Sequence, residues 1–178
     1  MAYPGIGPGG HCIPEDIHYL IQSTEQQNNV ELLKSAVDVN ESMPKYIFDK
    51  LKKRIAGNNE NFCNFNVLIL GKSYKANTTD IRRSQSMELY KIIRKENYKT
   101  EIWDPLVDET AIDLDDKKKI LDKKLSNADV IILGCPHKIL LAEDYAKHKN
   151  IKYIVDCWNK LDKRKFLKNK IEYVGVGR

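Results

Sequence analysis

NVLILGKSYKANTTDIRRSQSMELYKIIRK, residues 66–95, decides the fold. Asn66 to Leu70 is a short apolar run suited to a parallel strand buried on both faces. The polar stretch Gly71 to Ser84 must be loop, and Met87 to Lys95 repeats apolar residues at helical spacing. Strand, loop and helix in that order begin a unit of alternating β and α.

The alternation continues downstream. Thr100 to Trp103, Val130 to Leu133, Tyr153 to Val155 and Tyr173 to Val176 have the texture of strands. Between them, Lys117 to Leu125, Ile139 to His148 and Arg164 to Lys168 have that of helices. This pattern predicts an α/β fold, a Rossmann-like parallel sheet covered on both faces. Upstream, a helix should open at Pro14, with Glu15 and Asp16 at its positive end and Ile17, Leu20 and Ile21 on its buried face. A longer helical region runs from about Val30 to Ile55, with a kink or a restart capped by Ser42 expected at Pro44. Gly57 and the Asn-rich stretch after it mark a boundary. Residues 1–57 are therefore expected to form a helical segment and residues 58–178 the α/β domain.

Composition narrows the function classes. The chain has 178 residues, a hydrophobic fraction of 42% and a net charge of +5. Its lysines are spread among acidic residues rather than gathered in one tract, so nucleic acid is not an expected partner. No stretch approaches the ~20 apolar residues of a membrane span. The four cysteines, Cys12, Cys63, Cys135 and Cys157, form no CxxC pair. With no charged-then-apolar export signal, a reducing, cytoplasmic setting is expected.

Two loops could carry chemistry. In the first, Tyr3 to Asp16 (YPGIGPGGHCIPED), closely grouped glycines let backbone N–H groups approach an anionic ligand. Cys12 stands just before a helix N-terminus, where the dipole favours the thiolate, and Asp16 lies one turn beyond it, within reach of a proton or a water. The alternative is a glycine-rich turn followed by a buried, inert cysteine. The second loop, Gly71 to Ser84, follows a parallel strand at the edge where open α/β sheets place ligands. Lys75, Asn77, Thr78, Thr79, Arg82 and Arg83 there suit phosphate and sugar hydroxyls, although a solvated loop is the bland alternative.

Three tempting motifs fail. Gly5 to Gly10 lacks the preceding strand of a dinucleotide fingerprint, and Gly71-Lys72-Ser73 lacks the P-loop's first glycine because position 66 is Asn. A zinc site from His11, Cys12 and His18 lacks a second pair of ligands, and no metal is expected.

Together the two loops resemble those of UDP-glucose/GDP-mannose dehydrogenases. Tyr3 to Asp16 resembles their G-x-G-G-x-C-x-P-x-D segment, and Gly71 to Ser84 their G-x-[AS]-[FY]-K-x-[ND]-T-x-D-x-R-x-S segment. Asn40 to Pro44 and Ile102 to Pro105 are similar to further stretches of that family. The resemblance implies oxidation of the C6 alcohol of a nucleotide sugar to a carboxylate with two NAD. It implies Cys12 as the nucleophile, forming a thiohemiacetal and then a thioester, with Asp16 assisting proton transfer and hydrolysis. It implies that Tyr3, Gly5, Gly7, Gly9, Tyr74 and Lys75 contact the UDP-sugar. Gly10, Cys12, Glu15 and Arg82 would meet NAD, Arg82 at its diphosphate. The long helix would form much of a homodimer core.

Departures accompany it. Glu15 stands where many members have Lys, and Trp158 replaces an arginine in a D-x-R-N segment. His11 resembles the branch acting on UDP-N-acetylhexosamines such as UDP-N-acetylmannosamine. The family's N-terminal cofactor-binding domain and the central stretch with its catalytic Lys and Asn have no counterpart here. The chain alone is therefore expected to be inactive, needing a complementing N-terminal half. The competing expectation is a non-catalytic nucleotide-sugar-binding or dimerisation module left by a truncated or split gene.

Overall fold

The structure, a computed structural model, describes residues 5–24 and 30–177. Two helices, α1 (Cys12–Thr24) and α2 (Glu31–Gly57), precede five strands: β1 (Val67–Leu70), β2 (Thr100–Trp103), β3 (Val130–Leu133), β4 (Tyr153–Asp156) and β5 (Glu172–Gly175). The connections carry α3 (Gln85–Lys95), α4 (Leu114–Leu125), α5 (Lys138–Leu141) and α6 (Lys163–Lys168). All strand pairs are parallel, in the order β2-β1-β3-β4-β5. The expected Rossmann-like α/β architecture is what forms. The order reverses between β1 and β3, which opens a crevice at their C-terminal ends.

Each strand feeds two cores because successive side chains point to opposite faces. Val67 and Ile69 join one core with Val130, Ile132 and Val155, while Leu68 and Leu70 join the other with Ile131, Leu133 and Ile154. The C-terminal half of α2 belongs to the first core. Ile47, Phe48, Leu51 and Ile55 are fully or almost fully buried there. Phe48 meets Phe62 and Tyr98 edge-on at centroid distances of 5.4 and 5.8 Å, a geometry that adds to simple burial.

Several boundaries differ from the sequence-based expectation, each for a local reason. Helix α1 starts at Cys12 rather than Pro14. A proline in the first turn costs little because those N–H groups lack intrahelical partners anyway. Pro44 does not restart α2, which is one assigned helix from Glu31 to Gly57. Pro44 is buried, and Ser42 donates its hydroxyl to the Val39 carbonyl at 2.8 Å instead of capping a new helix. Helix α4 begins at Leu114 rather than Lys117 because Asp113 caps it, accepting the Asp116 N–H at 2.8 Å. The expected helix Ile139 to His148 splits into α5 and a 3-10 turn, Tyr145–Lys147, where Asp144 accepts the Ala146 N–H. Tyr145 is thereby buried, with its hydroxyl donating to the Leu140 carbonyl at 2.8 Å.

The first helical layer is the least covered. Leu20, expected inside, is 48% exposed, and Leu32, Val39 and Tyr46 lie exposed along α2 at intervals of seven residues. Residues seven apart share one helix face, so these three form a single apolar stripe.

Because Phe48 ties α2 to the sheet through two aromatic partners, Phe48→Ala should cost about 3–5 kcal/mol. Urea denaturation followed by circular dichroism measures it, and a loss below 1 kcal/mol would contradict this packing account.

Candidate active site

The C-terminal ends of β1, β2 and β3 converge on one carboxylate. Asp104 follows β2 and is fully buried. Its oxygens accept the N–H groups of Lys72 (2.7 Å), Ser73 (3.1 Å), Leu106 (2.8 Å) and Val107 (3.1 Å). His137, two residues beyond Cys135 and equally buried, completes the set with Nε2 at 2.9 Å. Its Nδ1 accepts the Asn77 N–H at 2.9 Å, which fits the tautomer with the proton on Nε2. Asn77 returns the contact by accepting the Lys138 N–H at 3.1 Å. Burial alone pushes the Asp104 carboxyl up, but the His137 hydrogen bond and the backbone N–H groups outweigh it and hold the group well below the usual carboxylate range.

This hub fixes the 71–84 loop. Ser73 Oγ donates to the Thr78 carbonyl at 2.7 Å, and the Tyr74 N–H donates to the Asp80 carbonyl at 3.0 Å. Asn77 and Arg83 have φ of 59° and 46°, the left-handed region that non-glycine residues enter only when surroundings enforce it.

The glycine loop then rests on that surface. Ile6 is buried in the same core as Ile47 and Leu51. Asn40 of α2 donates from Nδ2 to the Pro8 carbonyl at 3.3 Å, and the Gly10 N–H donates to the Arg82 carbonyl at 2.9 Å. Gly10 has φ of 86°, and a Cβ there would lie 2.7 Å from the Tyr74 ring, so no side chain fits. Gly9 is buried beside it, and Gly7 lies next to Asn40. At Gly5 a Cβ would come within 3.0 Å of the Trp158 ring. That indole donates from Nε1 to the Gly134 carbonyl at 2.8 Å. Trp158, the departure from an expected arginine, is thus a floor beneath the glycine loop.

Two residues after Gly10, Cys12 opens α1 with its side chain exposed. The alternative of a buried, inert cysteine does not hold for Cys12; it does describe Cys135 and Cys157. Burial pushes the Cys135 thiol up to about 12 and the Cys157 thiol higher still. Asp16, exposed, follows Cys12 at the i, i+4 spacing that places both on one helix face.

The loop's cations are partly spoken for. Arg82 chelates Asp80 through Nε and Nη2, at 3.0 and 2.6 Å, and the guanidinium holds that carboxyl below its ordinary range. Arg83 pairs with Glu15, which gives the second departure a partner. Lys72 pairs with Asp108. Among the described residues no carboxylate pairs with the exposed Lys75. Tyr3 lies outside the described residues. The sequence had offered no signal for His137, and Asp104 only as part of a familiar tetrapeptide.

Iodoacetamide should alkylate Cys12 and Cys63 in the folded protein and reach Cys135 and Cys157 only on unfolding. Peptide mass mapping checks this, and early modification of Cys135 would contradict the burial. Asp104→Asn should destabilise the fold by about 2–4 kcal/mol at neutral pH. Because the Asp104 carboxyl is depressed in the folded state, its contribution is complete above its unfolded value of roughly 4 and fades as pH falls through the folded one. The variant should therefore lose part of the wild-type acid dependence in urea melts between about pH 5 and 2.

Comparison with known proteins identifies the family. Residues 68–163 match the UDP-binding domain of the UDP-glucose/GDP-mannose dehydrogenase family, and residues 1–42 match its central domain. The UDP-N-acetyl-D-mannosamine dehydrogenase of Pyrococcus horikoshii is 30% identical over 163 residues, covering 88% of this chain and 36% of that protein. The UDP-glucose 6-dehydrogenase of Rickettsia felis is 27% identical over 187 residues, covering 97% of this chain and 40% of that protein. The solved structure of the UDP-D-ManNAc dehydrogenase from Pyrococcus horikoshii superposes with a TM-score of 0.81 at 27% identity, over 98% of this chain and 40% of that one. This chain thus spans about 40% of the length of such relatives. With the UDP-binding fold, the two loops and the matched domains in agreement, the chain belongs to the UDP-glucose/GDP-mannose dehydrogenase family.

Proposed function

We propose that this chain supplies the nucleophile and the nucleotide-sugar seat of a 6-dehydrogenase that oxidises the C6 alcohol of a UDP-sugar to a carboxylate. The observation that carries the reading is an exposed Cys12 at a helix start, on a glycine loop held against the loop that bears Lys75, a cation with no carboxylate partner among the described residues. Lys75 gives the diphosphate a cation with no competing carboxylate among the described residues, and Tyr74 supplies an aromatic surface beside Gly9 and Gly10. Gly5 and Gly7 complete the wall for the sugar nucleotide, and Tyr3, outside the described residues, is a further proposed contact. His11 before the nucleophile, and relatives named as UDP-N-acetyl-D-mannosamine dehydrogenases, favour an N-acetylhexosamine as the sugar.

NAD, when bound, accepts a hydride in each of two oxidations. Between them the Cys12 sulfur adds to the aldehyde carbon and holds it as a thiohemiacetal. After the second oxidation the same sulfur carries a thioester, which water cleaves to the carboxylate and free thiol, with Asp16 taking the water's proton. The residues fit such a cofactor in part. Arg82 is exposed, and its carbonyl holds the Gly10 N–H two residues before Cys12, so it can meet a diphosphate at the rim of the site. The Gly10 N–H and the Glu15 carboxylate are already engaged by the Arg82 carbonyl and Arg83, so they shape that rim rather than offer free groups. Hydride transfer requires the nicotinamide against the sugar, so the main cofactor-binding part comes from outside these 178 residues. A second copy of the chain is the proposed partner for the Leu32, Val39 and Tyr46 stripe, which could zip against its own counterpart. Among the described residues no helix is long and apolar enough to cross a membrane, and a cytoplasmic, reducing setting would suit a catalytic thiol.

Isothermal titration with UDP should show binding that Lys75→Ala weakens by roughly tenfold. Mixed with a cofactor-binding portion from a relative, UDP-N-acetylmannosamine and NAD, the chain should support NADH formation. Cys12→Ala should lower that rate on the order of a thousandfold or more. Equal NADH formation by Cys12→Ala would refute the nucleophile. UDP binding with no turnover under complementation would instead identify a non-catalytic module. Size-exclusion chromatography with light scattering tests the dimer, which Val39→Glu should dissociate.

A further inference from the structure

Away from the glycine loop, three side chains converge on one point. Asp122 lies in the last turn of α4, Glu143 follows α5, and His148 follows the 3-10 turn Tyr145–Lys147. One ligand atom from each, Asp122 Oδ1, Glu143 Oε1 and His148 Nε2, lies within 4.8 Å of the other two. His148 Nε2 stands 3.6 Å from the Asp122 oxygen and 3.5 Å from the Glu143 oxygen. All three atoms are buried and make no hydrogen bond, and the His148 and Glu143 side chains are each only 10% exposed. Buried polar atoms are ordinarily paired; Asp122 is half exposed, but His148 Nε2, nine-tenths buried beside two carboxylate oxygens and without a hydrogen-bond partner, calls for a shared cation.

Part of that demand is met by Lys147. Its ammonium forms ion pairs with Asp122 Oδ1 at 2.9 Å and Glu143 Oε1 at 2.8 Å. The Lys147 side chain is 48% exposed, and its flexible stem can carry the ammonium out to water. A tetrahedral ion with bonds of about 2.1 Å holds its ligand atoms about 3.4 Å apart, close to the two distances from His148. One imidazole nitrogen and two carboxylate oxygens suit zinc-class transition ions, whereas magnesium and calcium prefer all-oxygen sets.

We propose that Asp122, Glu143 and His148 form a site for a divalent transition cation of the zinc class, with Lys147 as its displaceable stand-in. Asp122 ends the helix leading into β3 and His148 shortly precedes β4, which places the site near the N-terminal ends of the strands. Cys12 and the 71–84 loop occupy the opposite edge. The ion would therefore bolt α4 to the β3–β4 connection and serve stability, not the oxidation. It departs from the expectation of no metal because Asp122 lies about twenty residues before Glu143 and His148, and the three match no familiar ligand spacing.

The test uses the full chain stripped with EDTA, carrying Cys12→Ser and Cys63→Ser so that exposed thiols cannot take the probe. Titration with ZnCl2 should show one equivalent bound. At a hundredfold excess over Kd the melting temperature should rise by about 5–10 °C. His148→Gln, which keeps the side chain's size and polarity, should weaken binding by at least about tenfold. Lys147→Met removes the competing ammonium and should tighten it. Zinc bound equally by His148→Gln, or by neither the background nor the Lys147→Met protein, overturns the proposal. Because the thiols are removed, this outcome is independent of any role for Cys12.

Discussion

Burying a carboxylate is unfavourable unless nearby donors replace the water it loses, and the Asp104 site is built around meeting that condition. The donors come from the loops after β1, β2 and β3, so satisfying one side chain draws three strand ends together. The 71–84 loop takes its shape from that point, through Ser73 and through the Asn77–His137 contact. The glycine loop in turn takes its position from Tyr74 and the Arg82 carbonyl. Helix α1 and its first residue, Cys12, follow directly. The place of the exposed thiol is thus traceable, link by link, to a carboxylate that never touches it.

Charge is distributed with similar economy along the same loop. Arg82, Arg83 and Lys72 each have an acidic neighbour, Asp80, Glu15 and Asp108 respectively. The two arginine pairs are partly exposed, where screening by water makes each worth little to stability, and Lys72–Asp108 is more enclosed. Their effect is geometric: they hold the loop's outer edge and leave Lys75 as a cation without a carboxylate among the described residues. A ligand diphosphate at Lys75 would meet a charge that is not already neutralised, on a loop whose shape does not depend on the ligand.

The sheet was legible in the sequence because short apolar runs such as VLIL and VIIL, alternating with helix-spaced segments, suit strands buried on both faces. The candidate nucleophile was legible from glycine grouping and a helix start beside it. Less visible were the features set by tertiary contact. Pro44 read as a break, yet packing of α2 against the sheet outweighs one lost hydrogen bond. His137 lies in a Cys-Pro-His stretch with no motif, and only the fold brings it to Asp104, more than thirty residues away. Trp158 looked like a missing arginine; its use, supporting Gly5 from below, requires knowing which loop lies above β3 and β4.

The unbroken run of α2 through Pro44 has a mechanical meaning. Its C-terminal half is embedded in the sheet's core through Phe48 and Leu51, and one turn before Pro44 its Asn40 grips the Pro8 carbonyl. A strut held at Asn40 and again along its C-terminal half runs without a break from the thiol-bearing segment to the nucleotide-binding sheet, which favours the two moving together. In the proposed enzyme, an opening that admits a sugar or renews a spent cofactor would therefore fall outside this unit.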